Sequence, residues 1–221
     1  HGSEKCLYRF NFYCRRSPSL GALEETLEYF DYVVLGEGEE TLPELVKVLQ
    51  DEGDPEKVKG IAYRDTQTDK IVITPKRPYV NLDSYPCFNP EKLRAPIEIS
   101  RGCPWGCKYC QTPRLFGREV RHRSVDSILK NARYYDDLRF IASNAFAYGG
   151  DGIHPRLDKV EKLLSALHEI PNKKIFFGTF PSEVRPEFVT QESVELVRKY
   201  CANNSLSLGA QSGSDRILKE I

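Results

Sequence analysis

The chain has no methionine and only one tryptophan in 221 residues. Even an initiator is absent, so the sequence is expected to be a fragment of a longer protein. Its last stretch agrees: Ser214–Ile221 (SDRILKEI) opens like a helix, with Ser214 or Asp215 as N-cap, and stops after about two turns. Long apolar runs are also lacking. The longest, such as Tyr32–Leu35 and Ile175–Phe177, fall far below the roughly 20 residues that a spanning helix needs. No basic, then apolar, then small-residue order marks the N-terminus as a secretory leader. The expectation is a soluble, cytoplasmic protein without a membrane partner. Net charge is lacking too: 32 basic residues balance 32 acidic ones. No overall field draws the chain toward nucleic acid, and any basic contact must be local. With 40% hydrophobic residues the chain has material for a real core, which excludes disorder as the default.

Seven cysteines are present, unevenly spaced. Cys6, Cys14, Cys87 and Cys201 lie far apart, whereas Cys103, Cys107 and Cys110 crowd one short stretch. A disulfide framework does not crowd three thiols in this way, and clustering of this kind points to metal or redox chemistry. The four scattered cysteines read as buried or incidental thiols.

Periodicity organises the rest. Leu23–Tyr32 has helical spacing and leads into a strand-like run, Tyr32–Leu35, which ends in the turn Gly36-Glu37-Gly38-Glu39. Thr41–Gln50 then reads as a helix with Thr41 as N-cap, Pro43 in the first turn and Glu44 three residues after the cap. Gly60–Leu82 alternates like a β-hairpin and is taken as an interdomain connector, and the prolines between Pro75 and Pro96 punctuate a boundary. The expected domains are residues 1–58, a hairpin linker over 59–95, and 96–221.

In that last region strand-like and helix-like runs alternate. Strands are expected at Pro96–Ser100, Leu138–Ser143, Lys174–Phe180 and Ser205–Gln211; helices at Val125–Tyr135, Leu157–Ile170, Glu192–Tyr200 and from Asp215. Four βα units in series predict an α/β fold with parallel strands and helical crossovers. In such folds the chemistry sits at the C-terminal ends of the strands, and there the unusual residues fall: Gly102–Cys110, Asn144–Asp151, Pro181–Arg185 and Gln211–Ser214.

The first of these loops, Ile97–Cys110 (IEISRGCPWGCKYC), spaces three thiols as C-x3-C-x2-C. Soft thiolates on one loop suit the irons of an iron–sulfur cluster. A structural zinc site usually closes four ligands as two separated pairs, and the second pair is missing. Three ligands would leave one iron open. Chance thiols in a surface loop are the alternative.

With these residues the chain resembles the radical S-adenosylmethionine enzymes, whose C-x3-C-x2-C loop follows the first strand of a (βα)6 barrel and carries an aromatic residue before its last cysteine. The resemblance implies a 4Fe-4S cluster on Cys103, Cys107 and Cys110, S-adenosylmethionine (SAM) at the open iron, and Tyr109 beside its adenine. Reductive cleavage would then give methionine and a 5′-deoxyadenosyl radical, with electrons from a flavodoxin- or ferredoxin-like donor. Phe140–Asp151 (FIASNAFAYGGD) matches the glycine-rich motif, making Asn144, Tyr148, Gly149 and Gly150 candidate SAM contacts; a plain Gly-Gly turn is the alternative. Ser205–Ile221 looks like the fourth-strand segment, with Gln211 and Ser212 facing the cofactor. Gly178–Glu187 brings Ser182, Glu183 and Arg185 to the third strand's end, suited to an anionic or polar group or else merely solvated. Arg114, Arg118, Arg121, His122 and Arg123 form a basic cluster that could meet a phosphate or carboxylate, or simply a charged turn.

Glu24–Leu49, with its G-E-G-E, resembles the end of the cobalamin-binding domain that precedes many such barrels. The whole resembles a B12-binding-domain branch, implying methyl transfer in the full-length protein. Its D-x-H-x-x-G cobalt-binding loop is missing here, so cobalamin is expected only in that longer protein. The fold expected is therefore the first four units of a (βα)6 barrel, preceded by the end of a cobalamin-type domain and a hairpin. Two rivals stand beside it. One is a methylthiotransferase acting on tRNA or protein, suggested by AYG and QSGSDR, which would carry a second cluster. The other is a non-enzymatic iron–sulfur or zinc module, indifferent to SAM.

Overall fold

A computed structural model describes residues 10–11, 20–92 and 95–221; the expectations resting on His1, Cys6, Cys14 and most of residues 1–20 lie outside these. The chain separates into two compact units, residues 1–80 with 114–116, and residues 81–113 with 117–221.

The first unit is built on a four-stranded sheet, β1 (Phe10–Asn11), β2 (Tyr32–Val34), β3 (Ile61–Arg64) and β4 (Ile71–Ile73), in that order. β1 runs parallel to β2, and the other pairs are antiparallel. Side chains alternate across a sheet, so opposite faces recruit different helices. Val33 and its partner Ala62 pack with Leu23 and Leu27 of α1 (Leu20–Leu27), while Ile61 on the other face packs with Leu45 of α2 (Gly38–Gln50) and Val58. Helix α2 starts three residues ahead of the expected cap. Glu37 is its N-cap and leaves its carboxylate to accept the Val80 N–H (2.8 Å), so Thr41 is a buried helical residue instead. The hairpin expected as a linker forms the outer half of this sheet, because β3 pairs with β2 along its length.

The second unit follows the expected alternation. Strands β5 (Ile97–Glu98), β8 (Asp137–Ile141) and β9 (Lys174–Phe176) form a parallel sheet in that order. Between β5 and β8 come β6 (Ser100–Arg101), α3 (Thr112–Phe116), β7 (Arg121–His122) and α4 (Val125–Ala132); α5 (Leu157–His168) follows β8 and α6 (Gln191–Tyr200) follows β9. The apolar stripes of α4, α5 and α6 close one face of the sheet: Ile128, Leu163, Leu164, Leu167 and Val197 share a core with Leu138, Phe140 and Ile175. Thr190 and Ser193 cap α6 reciprocally. The expected fourth strand is reduced to one parallel bridge, Val184 to Leu208, and α7 (Asp215–Glu220) follows with Ser214 at its N-cap. The first strand serves two partners. Ile97–Glu98 pairs with β8, while Ser100–Arg101 turns away to pair antiparallel with β7.

Candidate functional site

β6 and β7 clasp the base of the cysteine loop. Between them Gly102 takes φ +95°, and a Cβ there would fall 2.0 Å from the Glu119 carbonyl oxygen, so only glycine lets the loop leave the strand at this point. The Cys103 amide then donates to Gly117 O (3.1 Å), and the Cys110 amide to Cys107 O (3.1 Å). All three thiols are free and line one cavity of about 890 Å³. Among the described residues no group of His, Cys, Asp and Glu closes on a single ion, so the four-ligand geometry of structural zinc is not formed there. Burial, reinforced by the neighbouring Cys110 and Cys107 sulfurs, pushes the Cys103 thiol up. Cys87 and Cys201 lie off the cavity, and burial raises both thiols, that of Cys201 to about 12.

Three of the eight expected SAM contacts line the same cavity: Tyr109, Asn144 and Gln211. Tyr109 is half exposed. Asn144 is only 4% exposed, yet neither its Oδ1 nor its Nδ2 has a hydrogen-bond partner. An unsatisfied buried amide costs about 1–3 kcal/mol per group, so on the cavity wall this amide is open to a polar partner. Gln211 takes a left-handed φ of 62°, a local strain of the kind that collects at functional sites.

The other five are placed elsewhere. Tyr148 is buried behind the site, its hydroxyl donating to Arg123 O (2.8 Å) and its ring edge-on to His122; burial pushes its pKa up to about 12. Gly149 and Gly150 serve packing: a Cβ on the first would strike Lys159 at 2.4 Å and on the second the His154 carbonyl at 2.8 Å. Ser182 is buried and reaches back toward Ala142 O. Ser212 accepts the Ser214 N–H (3.1 Å) outside the cavity.

Neighbours take their places on the wall. Burial alternates along residues 182–185: Ser182 and Val184 are buried, while Glu183 and Arg185 are more exposed and both line the cavity. The same period-2 logic, applied to this loop, would have moved the choice from Ser182 to Glu183. Ser143 also lines it and donates to Gly102 O (2.8 Å), holding the loop's first turn beside Cys103. No sequence pattern singled out Ser143.

The basic cluster is taken apart in the second unit. Arg123 is 2% exposed and spends its terminal nitrogens on Leu82 O, Tyr85 O and Glu98, whose carboxylate is also gripped by Arg101. His122 bonds Gly150 O through Nε2 (2.7 Å), so that nitrogen carries the proton. Nδ1 then accepts from the Ser100 hydroxyl (2.8 Å) and the Gly149 amide (3.3 Å). Burial lowers its pKa, and the ring is held neutral. Both side chains are structural.

The family model of the radical SAM superfamily matches residues 97–221. The chain belongs to that superfamily. Radical SAM proteins bind a 4Fe-4S cluster and SAM, and the residues here fit both: soft thiolates on one loop for the cluster, and the unpaired Asn144 amide for a polar ligand. A provisionally assigned methylthiotransferase of Methanocaldococcus jannaschii is 29% identical over 86% of this chain and 42% of its own length. A tRNA-2-methylthio-N(6)-dimethylallyladenosine synthase of Hydrogenobaculum sp. is 34% identical over 62% of the chain and 31% of its length. The chain thus spans less than half of these relatives. Among solved structures, the cobalamin-dependent SAM radical enzyme OxsB, with aqua-cobalamin and SAM bound, covers 90% of the chain with TM-score 0.66 and 23% identity, over 30% of its own chain. The radical SAM methyltransferase TsrM of Kitasatospora setae, with cobalamin and a [4Fe-4S] cluster, covers 87% with TM-score 0.63 and 16% identity, over 41% of its chain. At these identities the two structures establish a shared fold. No helix among the described residues is long and apolar enough to cross a membrane.

Proposed function

We propose that this chain is the SAM-cleaving part of a cobalamin-linked radical methyltransferase. The observation that carries the cleavage chemistry is one cavity holding three free thiols and the unpaired, buried Asn144 amide. When bound, the reduced cluster supplies the electron that splits the SAM sulfonium into methionine and a 5′-deoxyadenosyl radical. Cys103, Cys107 and Cys110 are the ligands in this reading. Asn144 offers both a donor and an acceptor to the polar end of SAM, Tyr109 offers a ring face to the adenine, and Gln211 closes the far wall. Ser143 and Gly102 keep the loop in register. Methyl transfer is supported by the similarity to OxsB and TsrM, which reaches past residues 81–221 into the first unit.

A methylthiotransferase is the second reading, favoured by the M. jannaschii relative. It requires a second cluster. The test is anaerobic reconstitution with iron and sulfide, then reduction, with iron counted and the electron paramagnetic resonance spectrum recorded with and without SAM. One cluster per chain whose signal shifts on adding SAM is the expected result. Two clusters favour the second reading, and a signal indifferent to SAM counts against both.

A further inference from the structure

Trp105, the chain's one tryptophan, stands between Cys103 and Cys107 and is not itself a ligand. Its indole N–H donates to Gly152 O (3.1 Å), which ties the cysteine loop to the loop after β8. Over its ring lies Arg185, from the segment after β9, with the guanidinium carbon 4.0 Å from the ring centroid. Glu187 pairs with the Nε of the same guanidinium. Trp105, Arg185 and Glu187 all line the cavity that holds the three thiols.

From sequence alone Arg185 suited an anion grip, yet ring and carboxylate already hold it. It is a charge fixed in place, and a fixed cation on a cluster's wall favours the cluster's electron-rich state, while Glu187 opposes this. We propose that Arg185, laid over Trp105 and balanced by Glu187, is a positioning residue that steadies the cysteine loop and sets the reduction potential of the cluster. The proposal rests on the cluster reading above. The step concerned moves one electron from a chemical reductant such as dithionite to the cluster; no bond forms or breaks, and no proton is transferred.

The reconstituted chain is titrated potentiometrically, with the reduced cluster read by electron paramagnetic resonance, in wild type, Arg185→Met, Arg185→Lys and Glu187→Gln. A unit charge acting over roughly 10 Å at an effective dielectric near 20 is worth about tenfold. Arg185→Met should therefore lower the reduced-to-oxidised ratio at fixed poise by about tenfold, or about 59 mV for one electron. Glu187→Gln should raise it, and Arg185→Lys should stay within about threefold of wild type because the charge is kept. The stack is read separately, without any cluster, from the fluorescence of Trp105. Both Arg185 variants should change its emission, since lysine keeps the charge and loses the planar contact. An unchanged midpoint in Arg185→Met overturns the proposed control of potential, as does a shift of the same sign in all three variants. Unchanged emission overturns the stack. Failure of wild type to assemble any cluster removes the reading beneath the proposal, and the proposal with it.

Discussion

Two polar regions of the second unit lie back to back and differ in one respect. Behind the site, His122, Glu98 and the Arg123 terminal nitrogens are bonded to carbonyls, hydroxyls and each other. On the cavity wall, the buried side-chain amide of Asn144 has no hydrogen-bond partner. Both regions follow strand ends, and both are rich in the residue types that suggest function in a sequence. What separates them is how much of each group is satisfied: Arg123 bonds through its terminal nitrogens and leaves only Nε without a partner, whereas neither polar atom of the Asn144 amide has one. A buried polar group that has found its partners is holding the fold together; an amide with neither atom paired, on the wall of a cavity, is open to a further partner.

Substitutions should sharpen that contrast. The largest effect is expected from Cys107→Ser, which should abolish cluster assembly, with iron content after reconstitution falling to background, while the melting temperature of the metal-free chain stays close to wild type. Arg123→Met should do the reverse. It strips Glu98 of a buried partner and removes the bonds that Arg123 donates to the Leu82 and Tyr85 carbonyls, so a loss of about 3 kcal/mol or more is expected in denaturant unfolding. Asn144→Leu removes an amide that makes no bond, so stability should hold or rise slightly. SAM affinity measured on the reconstituted chain should weaken by about tenfold, the value of one good hydrogen bond to a charged group. If stability fell and affinity did not, the contrast between the two regions would be lost.

The smallest effect is expected from His122. Its folded-state pKa lies below the ordinary 6.5, so as pH falls the unfolded chain takes up the proton first. The contribution of His122 is therefore present above about pH 6.5 and lost as pH drops through the folded-state value. Unfolding of wild type followed from pH 7 to 5 should show this loss, and His122→Gln should flatten that part of the profile.

Much of this was readable from sequence, for reasons that differ by element. Helices α4, α5 and α6 of the second unit are periodic, two of them capped by side chains, as at Thr190 and Ser193, and they and β8 appear within a few residues of where the pattern puts them. The cysteine loop was readable because three thiols at that spacing have few other uses. Asn144 and Tyr148 were not separable. They stand at the two ends of a single 3-10 turn, Ala145–Ala147, and the turn sends one side chain to the cavity and the other to the core. Nothing in F-I-A-S-N-A-F-A-Y records that rotation. Thr41 failed as a cap for a similar reason: Glu37, a carboxylate whose partner is 43 residues away in sequence, begins the helix first. The fourth strand reads well as a pattern, yet it makes only the one bridge to Val184 among the described residues.

The division of the first strand between two neighbours has a mechanical consequence. Residues 102–120 form a bight whose stem is the two-residue clasp of β6 and β7, while the parallel sheet closes through Ile97–Glu98 without them. Undoing the stem, together with the Trp105–Gly152, Ser143–Gly102 and Lys108–Ile221 bonds, loosens the bight without breaking the pairing of β5, β8 and β9. Opening of the loop is then a local event, and amide exchange across 102–120 should run ahead of exchange in the sheet.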